Sequence, residues 1–96
     1  MRIKIAVCDD STVDQWYVSD MVDRWAVQRE HTVHVDTFIS AESFLFHYAE
    51  ESDYDILLLD IEMGEMDGVS MARQLRRGND AVQIIFITGH SDYISE

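Results

Sequence analysis

An apolar run ends in a carboxylate and an acidic turn in the stretch Leu57-Leu58-Leu59-Asp60-Ile61-Glu62-Met63-Gly64-Glu65-Met66-Asp67-Gly68. The run from 56 to 59 is apolar on both sides of a strand, which is typical of a central parallel strand covered by helices on both faces. Ligands of open α/β sheets bind at the carboxyl ends of such strands. The pattern therefore places Asp60 at a possible binding edge, although a lone Asp at this position more often belongs to a turn.

The composition of the chain limits the class of protein. Its 96 residues, 47% of them hydrophobic, suffice for one small domain with a core. No apolar segment approaches the roughly 20 residues of a membrane span, and the N-terminus is too short for a signal peptide, so we expect a cytoplasmic protein without membrane attachment. A single cysteine, Cys8, excludes an internal disulfide and is interpreted as a small buried strand residue.

The charge of the chain bears on its partners. The formal net charge is −12, which argues against nucleic-acid binding by this segment because phosphate contacts need clustered Lys and Arg. Most of the acidic residues are interpreted as a solvated surface. Zinc is not expected, because the histidines show no metal-ligand spacing; they are His31, His34, His47 and His90.

Apolar periodicity predicts alternating strands and helices in one domain, without linkers or repeats. Predicted strands cover 3–7, 32–38, 55–59 and 82–87. The first helix is predicted to open with a capping box at 12–15, to run to about Gln28 and to bury Val13, Trp16, Tyr17, Met21, Val22 and Trp25. The second starts from an N-cap at Ser40 and buries Ala41, Phe44, Leu45 and Tyr48. The third begins near Gly68 and turns inward Val69, Ala72 and Leu75.

Three carboxylates follow two of these strands. Asp9 and Asp10 come directly after the first strand, and Asp60 ends the third. If the two strands are neighbours, the three side chains emerge within a few Å of one another. Like charges so close raise one another's pKa and destabilise the fold unless a cation bridges them. The pattern indicates a hard divalent ion with oxygen ligands, Mg²⁺ by availability.

Three patterns in order resemble the receiver domain of two-component response regulators. They are a strand followed by Asp9-Asp10-Ser11, a strand followed by Asp60-Ile61-x-Met63-x-x-Met66-Asp67-Gly68, and a strand followed by Thr88. The resemblance covers nearly the whole chain. It implies an α/β fold: a three-layer, doubly wound parallel sheet of the flavodoxin-like receiver type, here with about four strands in the order 2-1-3-4 and three helices.

The resemblance also implies a function for particular residues. Asp60 matches the phosphoacceptor, which takes a phosphoryl group from a sensor histidine kinase. Mg²⁺ would be held by Asp9, Asp10, Asp60 and the backbone carbonyl of Glu62, and Thr88 matches the switch hydroxyl. Residues 84–93 are similar to receivers that precede LytTR-type DNA-binding domains, which implies a transcriptional output domain.

The sequence departs from the family pattern in two places. Gly64 stands where the family usually has Pro, and the family's phosphoryl-clamp lysine has no counterpart, because the only lysine is Lys4 in the first strand. We therefore expect residues 1–96 to be the N-terminal part of a receiver domain, without the fifth strand and last helix. Phosphoryl acceptance should then be impaired, and the uncovered fourth strand is expected to pair in a homodimer.

Two other classes of function remain open at this point. One is a non-signalling binding or assembly module that keeps the fold without the chemistry. The other is a phosphatase of the haloacid-dehalogenase type, which is disfavoured because Glu62 stands where that family has a second Asp. We expect no enzyme activity beyond autophosphorylation from small phosphodonors.

Overall fold

The computed structural model describes residues 2–63, 66–78 and 81–87. These residues form four strands and three helices in alternation. In chain order they are β1 (Arg2–Cys8), α1 (Thr12–Arg29), β2 (Thr32–Phe38), α2 (Ala41–Tyr48), β3 (Ile56–Asp60), α3 (Gly68–Arg77) and β4 (Gln83–Ile87). The predicted order of elements is confirmed, with boundaries that differ by at most one residue.

The four strands pair in parallel in the order β2-β1-β3-β4. Strand β1 lies between β2 and β3, so that Ile5 is opposite both Val35 and Ile56. Apart from Arg2 and Lys4 at the start of β1, the two inner strands are mostly apolar on both faces because each face is covered by helices, as the continuous run in β3 predicts. The predicted strand order is confirmed.

Helices cover both faces of the sheet and make the fold three-layered. Because successive strand residues point to opposite faces, β1 contributes to two separate cores. On one face Ile3, Ile5 and Val7 pack against Val18 and Val22 of α1. On the other face α2 and α3 pack over a core that includes Ala6, Cys8, Leu57, Leu59, Phe44, Met71 and Leu75. Burial raises the pKa of the Cys8 thiol, with Asp9 beside it, and the interpretation of this cysteine as a core residue is confirmed.

The predicted start of α1 and its predicted buried face were wrong. The N-cap is Ser11, whose side chain accepts a hydrogen bond from the Asp14 N–H at 3.3 Å. The helix turns four side chains toward the sheet, those of Gln15, Val18, Val22 and Ala26. Most of the predicted core positions are exposed instead, namely Val13, Trp16, Tyr17, Met21 and Trp25, with Trp16 at 74%.

This error has a physical cause. The helix carries two apolar stripes, and periodicity alone does not say which of them the sheet covers. The cap at Ser11 and the buried side chain of Gln15 orient the helix so that the stripe with Val18 and Val22 is covered.

The other two helices begin where the sequence predicts. Ser40 caps α2 in a reciprocal capping box with Ser43, and the predicted inner positions of this helix are buried or partly buried. Asp67 caps α3 by accepting the Ser70 N–H at 2.8 Å. One inner position of α3 was wrong, because Val69 is exposed and Met71 takes the buried place. None of the helices in the described ranges has the length and apolar character needed to cross a membrane.

Candidate functional site

Three carboxylates meet at the carboxyl end of the sheet. Strands β1 and β3 pair with Cys8 opposite Leu59, so the residues that follow them emerge side by side. One side-chain oxygen from each of Asp9, Asp10 and Asp60 lies within 4.8 Å of the others. Asp9 is 1% exposed and Asp60 4%, whereas Asp10 is exposed. The fold thus brings the three predicted acids together.

The electrostatics of this cluster disfavour full ionisation. Burial raises the pKa of Asp9 to about 6, and the negative charges of Asp60, Asp14 and Asp10 act in the same direction. A hydrogen bond from the Ser11 N–H to Asp9 Oδ1, at 3.0 Å, opposes the shift and orients the carboxylate. A bound cation would relieve the remaining repulsion.

The cluster opens into a cleft of about 660 Å³. The described residues that line it carry five carboxylates and no Lys or Arg; they are Asp10, Ser11, Asp14, Asp60, Glu62, Met63 and Asp67. Carboxylate oxygens are the ligands that Mg²⁺ prefers, and it keeps several of its waters when bound. The donor set and the open cleft therefore fit a partly hydrated divalent cation.

The end of β3 is held by backbone contacts that leave room only for glycine at position 68. The Gly68 N–H donates to the Ile61 carbonyl at 3.0 Å. A Cβ on Gly68 would lie 2.3 Å from the Asp60 carbonyl oxygen, a backbone atom that cannot move away cheaply. The start of α3 thus packs directly on the residue that carries the candidate nucleophile. From the sequence, Gly68 was predicted to start α3 and to belong to the family pattern, but its contact with Asp60 was not predicted.

A second residue that the sequence analysis missed is Gln15. Its side chain is 7% exposed, and its Nε2 donates to the carbonyl oxygens of Asp9 at 2.7 Å and Phe38 at 3.2 Å. The signal was present in the sequence, because Gln15 stands three and seven residues before Val18 and Val22 and so shares their helix face.

Other predicted site residues lie in different places. Glu62 reaches the cleft, and its N–H is 3.4 Å from Asp60 Oδ1, but the role of its carbonyl as a metal ligand stays a prediction. Thr88, the predicted switch hydroxyl, lies outside the described residues. Lys4 lies toward the opposite end of the sheet, where its Nζ is 2.8 Å from Asp53 Oδ1.

Comparison with known proteins identifies similar sequences. Residues 5–95 match the model of the response regulator receiver domain family. The chain is 31% identical over 93 residues to the transcriptional regulatory protein NatR of Bacillus subtilis, a match that covers 95% of this chain and 37% of NatR. It is 41% identical over 58 residues to the response regulator protein TodT of Pseudomonas putida, covering 60% of this chain and 25% of TodT. The chain thus spans little more than a third of these relatives at most.

Similar folds occur among solved structures. The response regulator protein TrrA of Thermotoga maritima, in complex with Mg²⁺ and a beryllium fluoride, superposes with a TM-score of 0.78 at 26% identity, covering 98% of this chain and 76% of TrrA. A response regulator receiver domain protein from Clostridium thermocellum gives a TM-score of 0.77 at 21% identity, covering 97% and 70%. The predicted flavodoxin-like receiver fold is confirmed.

Proposed function

This chain belongs to the response regulator receiver domain family, and we propose that it accepts a phosphoryl group on Asp60 from a sensor histidine kinase. The observation that carries the proposal is the cluster of Asp9, Asp10 and Asp60, whose oxygens come within 4.8 Å at the carboxyl end of the sheet. Receiver domains of response regulators interact with sensor kinases, so a kinase is the proposed partner. Residues 1–96 would act as a signalling domain in the cytoplasm.

The proposed chemistry is transfer to a carboxylate. An Asp60 carboxylate oxygen attacks phosphorus and forms a P–O bond, while the P–N bond to the kinase histidine breaks and its electron pair stays on the imidazole. The product is an acyl phosphate. The protein contributes mainly position, because β3 and the packed start of α3 fix Asp60 in the lining of the cleft.

The proposed cofactor is Mg²⁺, held by Asp9, Asp10, Asp60 and the backbone carbonyl of Glu62. Receiver domains typically bind this ion at their acidic pocket, and the donor set here suits it. When bound, Mg²⁺ would neutralise negative charge on the transferred group. The Mg²⁺ in the TrrA structure, from a protein 26% identical, supports this proposal.

The proposed output of the signal is transcriptional. NatR is described as a transcriptional regulatory protein, and NtrC of Klebsiella pneumoniae, 32% identical over 81 residues, as a DNA-binding transcriptional regulator. We propose that phosphorylation acts through the Thr88 hydroxyl on an output domain that binds DNA, since the net charge of −12 disfavours direct DNA binding by this segment. The similarity to LytTR-type regulators stays a prediction.

The direct test is labelling by a small phosphodonor. Incubation with acetyl phosphate and Mg²⁺ should increase the intact mass by one phosphoryl group, and Asp60→Asn should abolish the increase. We expect slow labelling, because no lysine other than Lys4 is present to pair with the phosphoryl group. The matched control is Asp55→Asn, at the residue that directly precedes β3, which should label like the wild type.

Two results would contradict the proposal. Labelling that persists in Asp60→Asn would place the acceptor elsewhere. Binding of Mg²⁺ without any labelling, even with a purified sensor kinase as donor, would favour the non-signalling module instead.

A further inference from the structure

We propose that Gln15 is a positioning residue of the acidic site, which fixes the end of β1 so that Asp9 and Asp10 present their carboxylates to a divalent cation. This inference rests on the proposed function, because it concerns the same metal site. Gln15 belongs to α1, and its side chain is not among the described side chains that line the cleft.

The geometry of the Gln15 amide defines this role. Its Nε2 donates to the Asp9 carbonyl at 2.7 Å and to the Phe38 carbonyl at 3.2 Å. Both partners are acceptors only, so the nitrogen of the amide, not its oxygen, must face them. The Phe38 carbonyl also accepts the Asp9 N–H at 3.0 Å. One buried side chain therefore ties together the ends of β1 and β2.

The bond to the Asp9 carbonyl bears directly on the direction of the two acids. That carbonyl belongs to the planar peptide unit between Asp9 and Asp10. A hydrogen bond that fixes the orientation of the carbonyl therefore also fixes the backbone on both sides of it, at Asp9 and at Asp10. The Asp9 carboxylate is oriented separately by the Ser11 N–H, at 3.0 Å. Gln15 and Ser11 thus restrain the backbone and the side chain of the same residue.

The position of Gln15 on α1 requires that its amide be hydrogen-bonded. It shares the sheet-facing side of α1 with Val18 and Val22, which pack against the apolar core of β1. A primary amide buried on such a face destabilises the protein unless its hydrogen bonds are made. Here they are made to two carbonyls at the carboxyl ends of adjacent strands, beside the acidic cluster.

The test compares Mg²⁺ affinity with stability. In Gln15→Met, which keeps the length of the side chain and loses the donor, we expect Mg²⁺ to bind about tenfold more weakly, as for other changes to groups that orient metal ligands. Affinity is measured by titrating Mg²⁺ and following backbone amide shifts by NMR, at a temperature at which every variant is folded. Gln15→Asn, whose amide is one methylene too short, should act in the same direction and serves if the Met variant does not fold.

Two controls on the same helix separate positioning from packing. Gln28→Met makes the same substitution at an exposed position and should change nothing. Val18→Ala removes packing one turn away and should lower the free energy of unfolding while leaving the Mg²⁺ affinity unchanged.

The outcomes distinguish this inference from the proposed function. If Gln15→Met and Gln15→Asn bind Mg²⁺ as tightly as the wild type, the residue has only a structural role and the inference is overturned, while the proposed function stands. If the wild type does not bind Mg²⁺, or Asp10→Asn binds it equally well, both are overturned.

Discussion

Acidic side chains lie near both ends of the sheet, but the two ends differ in which groups surround their negative charges. At the carboxyl end, side-chain oxygens of Asp9, Asp10 and Asp60 lie within 4.8 Å of one another, beside a cleft whose described lining contains no basic residue. Burial and neighbouring charges raise the pKa of Asp9 to about 6. Among the described residues that line the cleft, no Lys or Arg balances this negative charge.

Toward the amino end, Asp53 is paired with Lys4, and Tyr54, which precedes β3, reaches Asp36 within β2. Lys4 Nζ is 2.8 Å from Asp53 and lies 4.7 Å from the centre of the Tyr54 ring. The Tyr54 hydroxyl donates to Asp36 at 2.6 Å. Burial by itself would raise the pKa of Asp36, but the hydrogen bonds from Tyr54 and His34 outweigh it and the pKa is lowered. Burial and the same bond raise the pKa of Tyr54.

The acids at the two ends differ in their neighbours, which are Lys4 and the Tyr54 hydroxyl at one end and other carboxylates at the other. A nearby cation or hydrogen-bond donor lowers the pKa of a carboxylate and stabilises the fold, whereas carboxylates that share a site raise one another's pKa and destabilise the protein unless a cation bridges them. The amino end therefore serves folding. The carboxyl end holds the proposed site, and changes at the two ends should have different signatures.

The largest expected effect comes from Gly68→Ala at the carboxyl end. The added Cβ would meet the Asp60 carbonyl at 2.3 Å, so either α3 or the end of β3 must shift. We expect a loss of about 3 kcal/mol in the free energy of unfolding, measured by urea denaturation, together with weaker Mg²⁺ binding. Gly78→Ala, at an exposed position with φ −75°, is the control. Equal stability of the two variants would show that the contact is not tight.

The next effect is the pH dependence caused by Asp9. Its pKa in the folded protein, about 6, exceeds the ordinary value of 3.8, so the folded state holds this proton more tightly. The free energy of unfolding should therefore fall as the pH rises from about 4 to about 6, by roughly 2 to 3 kcal/mol for this group. Without Mg²⁺, Asp9→Asn should become more stable relative to the wild type as the pH rises.

Urea denaturation at pH 4.5 and pH 7.5 checks this prediction, with Asp23→Asn on the exposed side of α1 as the control. A stability difference between wild type and Asp9→Asn that does not vary with pH would contradict the raised pKa of Asp9.

Mg²⁺ should raise the melting temperature of the wild type at pH 7.5 through binding linkage, and it should raise that of Asp10→Asn or Asp60→Asn by less. A melting temperature insensitive to tens of millimolar Mg²⁺, roughly the range of a weak carboxylate site, would show that no metal site is assembled.

A smaller effect is expected from Tyr54→Phe at the amino end. The change removes the donor to Asp36 and should lower the free energy of unfolding by about 1.5 kcal/mol, as for hydrogen bonds to charged groups. The dependence of stability on Mg²⁺ should stay that of the wild type, because the acidic cluster is untouched. Tyr17→Phe, on the exposed side of α1, is the matched control. An altered Mg²⁺ response in Tyr54→Phe would mean that the two ends are coupled.

The smallest effect on the folded monomer is expected from Ile85→Lys in β4, which leaves both charge clusters intact. Ile85 is 46% exposed and Phe86 45%, and among the described residues β4 pairs only with β3. We expect two copies to associate through this strand. Ile85→Lys should shift them toward monomers and change the free energy of unfolding of the monomer by less than about 0.5 kcal/mol. Light scattering across a dilution series measures the shift, with Ile39→Lys as an exposed control. A wild type that is monomeric at high micromolar concentration would exclude this dimer.

Much of the fold could be predicted because its signals are local. The apolar runs of β1 and β3, the cap at Ser40 and the acids after two strands are all visible within a few residues. Parallel strands joined by helices bring such strand ends to one edge, which is why the acidic site could also be predicted in outline.

By itself, then, the sequence determined the alternation of strands and helices and the family to which their end residues point. Only the tertiary structure decided that α1 turns Gln15 toward the sheet and leaves Trp16 exposed, and that Gly68 touches the backbone of Asp60. The physical reason is that periodicity shows which residues share a face, whereas the choice between two apolar faces depends on partners distant in the sequence. Those partners are the carbonyls at the ends of β1 and β2, whose hydrogen bonds no local pattern records.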